Sequence, residues 1–356
     1  MHIFVIIPCY NCSKYLQTAI DSVLSNTTDE IRINVILVDD GSTDDTASLC
    51  DQNAQNNERV FAIHKTNGGV SSARNAGIDY VASCFPDSIS NGYIAFLDAD
   101  DAWKDHFFDN KTVELLRTNY DLVGFNSCNC NQKMTWMSNT VRLNEGLYHG
   151  GAASVWSHSS QHFGAMLYRF GFVELYHIRF GEGLRHSEDT LFRLQCMWLA
   201  KSFFLKNRLL YLYRTNRDSV SHHRLFGIPY FGPIINAYFA LDNDMNACLK
   251  EEKCVFGRQC AKVYLMDMID EHYQCFRSGR EIDEFLKTNP EYVRLLSGEN
   301  EDVGGAEPRF LSMCRAPRAY RLKNYFKGIG YTLFRTIRRS KLVWMCYDAY
   351  KYRIKI

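Results

Sequence analysis

Four short apolar, β-branched runs alternate with stretches of helical periodicity over the first hundred residues. This rhythm confines the chain to a mostly parallel sheet covered by helices. Residues 3–7, 35–38, 60–63 and 93–97 are expected to be strands, and residues 15–24, 45–53, 70–81 and 106–116 helices. Polar clusters follow three of the strands directly: Pro8-Cys9-Tyr10-Asn11, Asp39-Asp40-Gly41-Ser42 and Asp98-Ala99-Asp100-Asp101. Ligands of open α/β sheets bind beyond the carboxyl ends of the strands, so the three clusters should converge on one crevice.

At 356 residues with 46% hydrophobic content, the chain can bury a large core without covalent staples. Its thirteen cysteines are too scattered for the disulfide framework of a small secreted domain, and reduced thiols are expected. Cys9 and Cys12 fall inside the first polar cluster, and Cys128 and Cys130 lack the usual pair spacing, so no four-thiolate zinc site is read there. Met1-His2 leads straight into an apolar run with neither a basic start nor a small-residue cleavage site, so no secretory leader is expected. No apolar stretch reaches the roughly 18 residues of a membrane span. A cytoplasmic protein is the expectation.

Charge is distributed unevenly. From residue 309 to 356 there are 13 Lys and Arg against one acidic residue, Asp348, giving +12; the first 308 residues hold 28 basic and 39 acidic residues, giving −11. Between residues 325 and 339 the cations are interleaved with apolar residues at roughly helical spacing, the pattern of a helix lying on a membrane surface. The sequence divides into residues 1–225, carrying the site motifs, a helical extension at 226–307 and the basic tail at 308–356. Within the first part, 1–120 reads as the ligand-binding half, and 121–225, richer in aromatic residues and histidines, as the half facing a second substrate.

Each motif admits a structural use beside a functional one. Asp39, Asp40 and Asp44 can close a turn and cap a helix as well as bind a ligand. Asp98 and Asp100, one residue apart at a strand end, can reach one hard cation together, with diphosphate oxygens and water completing an octahedron of the kind Mg²⁺ or Mn²⁺ takes. Three clustered aspartates also serve as an acidic loop before a helix. Residues 66–77, Thr-Asn-Gly-Gly-Val-Ser-Ser-Ala-Arg-Asn-Ala-Gly, place glycines before a helix and Arg74 one turn into it, which favours an anion; the alternative is an Arg74 that is solvated or bridges to an aspartate. Ser187, Glu188 and Asp189 can be a first-turn acidic cap.

In this order and at this spacing, the segments resemble the family 2 glycosyltransferases, an inverting family with a glycosyltransferase A-type fold. The match rests on Ile6-Ile7-Pro8-Cys9-Tyr10-Asn11, Val38-Asp39-Asp40-Gly41-Ser42, Asn67-Gly68-Gly69 through Arg74-Asn75-Ala76-Gly77, and Asp98-Ala99-Asp100-Asp101. The resemblance implies a Rossmann-like, mostly parallel central sheet with helices on both faces, followed by a helical C-terminal region. It implies that Asp39 hydrogen-bonds a pyrimidine, that Pro8, Tyr10 and Asn11 line the nucleoside pocket, and that Asp40, Asn67, Gly68 and Arg74 help hold the nucleotide. Asp98 and Ala99 would meet the ribose and donor sugar, and Asp100 would be the main metal ligand beside Asp98. Downstream, residues 180–192 resemble the family's Glu-Asp motif, which makes Asp189 the general base with Glu188 beside it. Residues 211–223 resemble its Tyr-Arg and Ser-x-Ser element, which would bring Arg214, Ser219 and Ser221 to the diphosphate and His222 to the metal.

The implied reaction moves a hexose or N-acetylhexosamine from a UDP-sugar to a saccharide acceptor, lipid-linked or a precursor of lipopolysaccharide or capsule, with Mn²⁺ or Mg²⁺. The tail would then hold the enzyme on the inner face of the cell membrane, and nucleic acid is not the expected partner. A nucleotidyltransferase would also use aspartates and a metal, but leaves Glu188-Asp189 without a use. A catalytically silent nucleotide-binding scaffold is the other alternative.

Overall fold

The computed structural model describes residues 1–134, 137–138, 145–149, 162–184, 187–215, 236–237, 240 and 279–297. The chain divides into two compact units, Met1–His223 and Arg224–Ile356. In the second unit two helices are described, α7 (Gly279–Thr288) and α8 (Pro290–Ser297). Ser219, Ser221 and His222, most of the helical extension and the basic tail lie outside the described residues.

The first unit is built on one mixed sheet. Its described strands are β1 (His2–Cys9), β2 (Arg32–Asp39), β3 (Val60–His64), β4 (Tyr93–Phe96), β5 (Ala102–Trp103), β6 (Leu122–Cys130), β7 (Met137–Ser138), β8 (Gly146–Tyr148), β9 (Met166–Arg169) and β10 (Phe203–Arg214). They follow the order β3-β2-β1-β4-β9-β6-β10-β5, with β7 on β6 and β8 on β10. β1, β2, β3 and β4 pair in parallel, as do β6 and β10, and β9 runs antiparallel between β4 and β6. The six longer-range strands therefore share one direction, and the expected mostly parallel sheet is present.

β1 explains why the opening run is continuously apolar. Ile3, Val5 and Ile7 pack against α1 (Ser13–Leu24) through Leu16, Ala19, Ile20 and Val23. On the opposite face Phe4 meets Phe85 and Phe170, and Ile6 meets α3 (Val70–Cys84). A central parallel strand buried on both faces has no polar side to show. α2 (Thr46–Asn56) packs on β3, and α4 (Asn110–Arg117) follows the third polar cluster. The helix expected from residue 106 begins at 110 because His106 takes a left-handed φ of 51° and Asp109 caps Thr112 N–H at 2.8 Å. Further on, α5 (Phe170–Leu175) follows β9, and α6 (Glu188–Leu199) precedes β10.

The chain steps outward from β1 to β3, then returns to the other side of β1 as β4. That reversal is the topological switch point, where crevices of open sheets form. α3 can lie this close to β1 because Gly77 has no side chain: a Cβ there would fall 2.5 Å from Ile6 Cγ2. Replacing Gly77 by Ala gains about 1 kcal/mol of helix propensity, against about 1–3 kcal/mol of overpacking onto a fully buried, branched neighbour. Gly77→Ala is therefore expected to lower the urea midpoint at unchanged m-value; a midpoint at or above wild type would show that α3 shifts freely.

Candidate active site

The ends of β1, β2 and β4 and the start of α3 enclose a cleft of about 570 Å³. Pro8, Tyr10 and Asn11 line it from β1, Asp40 from β2, Asn67 and Gly69 from the loop before α3, and Asp98, Ala99 and Asp100 from β4. Sequence reasoning placed all of these but Gly69 on the ligand, and the structure brings them to one cavity, whose lining does not include Asp39, Gly68 or Arg74. Tyr10 is 53% exposed at its mouth. Asn11, at φ 49°, accepts Thr43 N–H at 2.8 Å and Asp44 N–H at 3.3 Å through Oδ1, which ties the first two polar clusters together. Partial desolvation of Asp44 works upward, but hydrogen bonds from Thr46 and Ser13 hold its carboxyl down at about 2.

The carboxylates divide into those bound by the protein and those left to the cleft. Asp40 accepts Lys65 Nζ at 2.7 Å, Gly68 N–H at 3.0 Å and Gly69 N–H at 2.7 Å, and its carbonyl accepts Asn67 Nδ2 at 2.9 Å. It thus shapes the glycine loop with the charge that was expected on the nucleotide. Asp39 is 4% exposed and accepts Ser42 N–H at 3.1 Å, with His64 at 3.0 Å on its other oxygen. Burial works to raise its carboxyl, yet these partners hold it below the ordinary aspartate value.

The acidic triplet is fixed from β10. Tyr211 donates its hydroxyl to Asp101 Oδ2 at 2.6 Å and accepts Asp98 N–H at 3.4 Å. Arg214 gives its backbone N–H to Asp101 Oδ1 at 2.7 Å and its guanidinium to the carbonyls of Asp100 and Gln132. Arg214 lies over Tyr15, a further lining residue, at 5.0 Å. Its side chain was expected on the diphosphate; in this structure it is buried behind the triplet instead, because the carbonyl of Asp100 needs a donor there. Asp101, an unassigned member of the acidic run, is an internal anchor. Asp98 and Asp100 face the cleft; burial, and after it the charge of Asp98, raises the carboxyl of Asp100.

Arg74 joins the two ends of the site. Its guanidinium is almost fully buried, with Nη2 2.8 Å from Asp98 Oδ1 and Nη1 3.1 Å from Glu188 Oε1. It also lies 4.9 Å over the Phe163 ring and 5.2 Å over Phe180. Of the two uses open to Arg74 in the sequence, the bridge to a carboxylate is the one present, and it reaches a second carboxylate 114 residues away that no pattern announced. Burial raises the carboxyl of Glu188, with Arg74 pulling it back and Asp189 adding to the rise. Asp189 accepts Thr190 N–H at 2.6 Å, so the first-turn cap is also real. His162 lies tilted against the Tyr211 ring, centroids 4.4 Å apart, and accepts Gly164 N–H at 3.1 Å; burial lowers its pKa, and Asp98 and Asp189 are among the charges it feels. Tyr211 fits only because residue 164 is glycine, whose Cβ would lie 2.3 Å from the ring. Tyr211 and Gly164 escaped the sequence reading, since nothing periodic marks a contact across that separation.

Among the described residues, no group of three or more His, Cys, Asp or Glu side chains is arranged to hold a metal ion, and no helix is long and apolar enough to cross a membrane. Asp98 and Asp100 by themselves supply two carboxylates, a number that suits a cation sharing its shell with substrate phosphates.

A sheet of this order, with a cleft at its switch point and acidic residues at the strand ends, defines a glycosyltransferase A-type fold. Residues 4–176 match the family described as Glycosyl transferase family 2, and the chain carries a family 2 glycosyltransferase domain. Over 232 residues it is 29% identical to the uncharacterized glycosyltransferase EpsJ of Bacillus subtilis and to the uncharacterized glycosyltransferase YibD of Escherichia coli, matches covering 64% and 62% of this chain. The chain spans 63% of the length of each of these relatives, less than two thirds. Its fold is that of S. aureus TarS, whose crystal structure in complex with UDP-GlcNAc superposes with a TM-score of 0.59 at 16% identity, covering 91% of this chain and 89% of that one.

Removing Arg74 leaves the largely buried Glu188 without its cation, a loss of roughly 3–5 kcal/mol for a buried pair, while Asp98, 37% exposed at the cleft, adds little. Arg74→Met is expected to destabilise the first unit by that order in urea unfolding at neutral pH. The loss should shrink toward about pH 5, because Glu188, already raised by burial, takes up a proton more readily once the guanidinium is gone. A penalty unchanged with pH would show that packing on Phe163 and Phe180, rather than charge, is what Arg74 supplies.

Proposed function

We propose that this protein transfers a hexose or N-acetylhexosamine from a UDP-sugar to a saccharide acceptor with inversion, Asp189 acting as general base. The observation that carries the reading is the shared hold of Arg74 on Asp98 and Glu188. It links Asp98, which lines the cleft, to the Glu-Asp motif through one side chain, which supports a single site containing both. Pro8, Tyr10, Asn11 and Asp39 would receive the nucleoside, and Asn67 and Gly69 would flank the diphosphate. A single displacement needs a carboxylate opposite the leaving group to take the acceptor hydroxyl proton. Asp189, next in the chain to the Glu188 held by Arg74, would take that role. Asp98 and Asp100, with His222, would hold Mn²⁺ or Mg²⁺, which when bound offsets the charge of the departing nucleoside diphosphate.

TarS was crystallised with UDP and with UDP-GlcNAc, which supports a uridine donor here. Nucleotide sugars that bind the folded state should raise its melting temperature. UDP-sugars with Mn²⁺ or Mg²⁺ are expected to do so and GDP-sugars not. Asp189→Asn should keep that stabilisation while lowering transfer by about 10²–10⁴-fold, the usual worth of a general base; transfer at the wild-type rate would remove Asp189 from the role.

The acceptor we propose is lipid-linked, a precursor of lipopolysaccharide or capsule, met at the inner face of the cell membrane. The support is the +12 charge of residues 309–356 and their interleaved aromatic residues. A chain ending at residue 308 should lose most of its co-sedimentation with anionic vesicles and keep its UDP-sugar binding. Equal sedimentation of both forms would reject the attachment.

A further inference from the structure

His64 closes β3 and stands between two carboxylates. Its Nδ1 lies 3.0 Å from Asp39 Oδ2 and its Nε2 3.0 Å from Asp51 Oδ1. A neutral imidazole carries one N–H and can donate to only one of two ionised carboxylates; an imidazolium donates to both. Asp39 on β2 and Asp51 on α2 are the charged groups that face the ring. The other oxygen of Asp39 accepts Ser42 N–H at 3.1 Å. Both Asp39 oxygens are therefore held from the protein side, Oδ1 by Ser42 and Oδ2 by His64, which fixes the carboxylate plane.

We propose that His64, as an imidazolium, is a positioning residue for base recognition: it keeps Asp39 ionised and aimed to accept the imide N–H of uracil. The proposal rests on the reading of Asp39 as the residue that meets the base. An ionised carboxylate only accepts hydrogen bonds, so it suits the N3–H of uracil and opposes the N3 lone pair of cytosine. His64 thereby contributes to the choice of uridine over cytidine donors without touching either.

Its bonds, first to Asp39 and then to Asp51, hold His64 above the ordinary histidine value, while Asp39 is held below its own. The stability this bridge contributes is fully present below the unfolded value of about 6.5 and is lost as pH rises through the higher folded value. Affinity for the uridine nucleotide should follow the same course.

The test is calorimetric titration of UDP with Mg²⁺ between about pH 6 and pH 8.5, alongside the NMR titration of the His64 ring. Wild type, His64→Gln, His64→Arg and Asp39→Asn are compared at each pH, so that titration of the nucleotide itself cancels. At low pH His64→Gln is expected to bind UDP about five- to tenfold more weakly than wild type, the scale of one charge-assisted bond acting indirectly. The gap should close as the wild-type His64 loses its proton. His64→Arg, a permanent cation, should restore affinity and remove the pH dependence. A wild-type to His64→Gln ratio that is constant across the titration overturns the proposal. If His64→Gln does not fold, a wild-type affinity that ignores the measured His64 titration overturns it equally. Asp39→Asn binding UDP as wild type does would instead bring down the base contact itself, and with it this inference. A weakened Asp39→Asn beside an unaltered His64→Gln would refute the inference alone.

Discussion

The site depends on one buried guanidinium. Arg74 gives one arm to Asp98, 24 residues ahead, and the other to Glu188, 114 residues ahead, so three segments distant in sequence meet at a single planar group. A charge out of water is costly unless its donors are matched, and the arginine fork suits two carboxylates at once where a lysine ammonium would not. The aromatic faces of Phe163 and Phe180 exclude water around the pair of bridges, which strengthens them. The consequence is geometric: the strand end that presents the acidic triplet cannot move independently of the helix that presents Glu188 and Asp189.

A second constraint comes from below. β10 reaches the triplet through Tyr211 and Arg214, three residues apart, and takes hold of Asp98 N–H, the carbonyl of Asp100 and both oxygens of Asp101. Tyr211 reaches that position through a gap left by Gly164 and is backed by the ring of His162. The turn after β4 is therefore set by residues more than a hundred positions downstream, and β4 and β10 are coupled through it.

These dependences mark what a sequence can disclose. β1, β2 and β4 were legible because strands buried on both faces must be apolar throughout, β3 by its short β-branched run, and the helices between them keep one apolar face. The polar clusters were legible as a site because they fall where strands end. β6, β9 and β10 were not resolved as strands, since β6 carries Gly124, Asn126 and Asn129, β9 is four residues long, and β10 has bulged pairing with β6. Residue types at the site were read well, but their tasks less so. Asp40 and Arg214, expected on the ligand, also hold a loop and a turn, a task that rests on contacts across the fold rather than on neighbours in the chain.

The division of labour among the aspartates follows from crowding. Five carboxylates, from Asp39 to Asp101, gather at the ends of β2 and β4, the strands that flank β1, and like charges so close oppose ionisation of one another. The protein neutralises three of them with its own donors: His64 and Ser42 for Asp39, Lys65 and the glycine loop for Asp40, Tyr211 and Arg214 for Asp101. Asp98 is half met, by Arg74, and Asp100 lines the cleft with its carboxyl raised by burial and by Asp98. What the protein leaves unmet stands at the cleft wall on Asp98 and Asp100, where the proposed divalent cation would sit with a donor diphosphate. Under that proposal metal and donor would bind as one unit, because neither the two carboxylates nor a pyrophosphate alone would complete the shell.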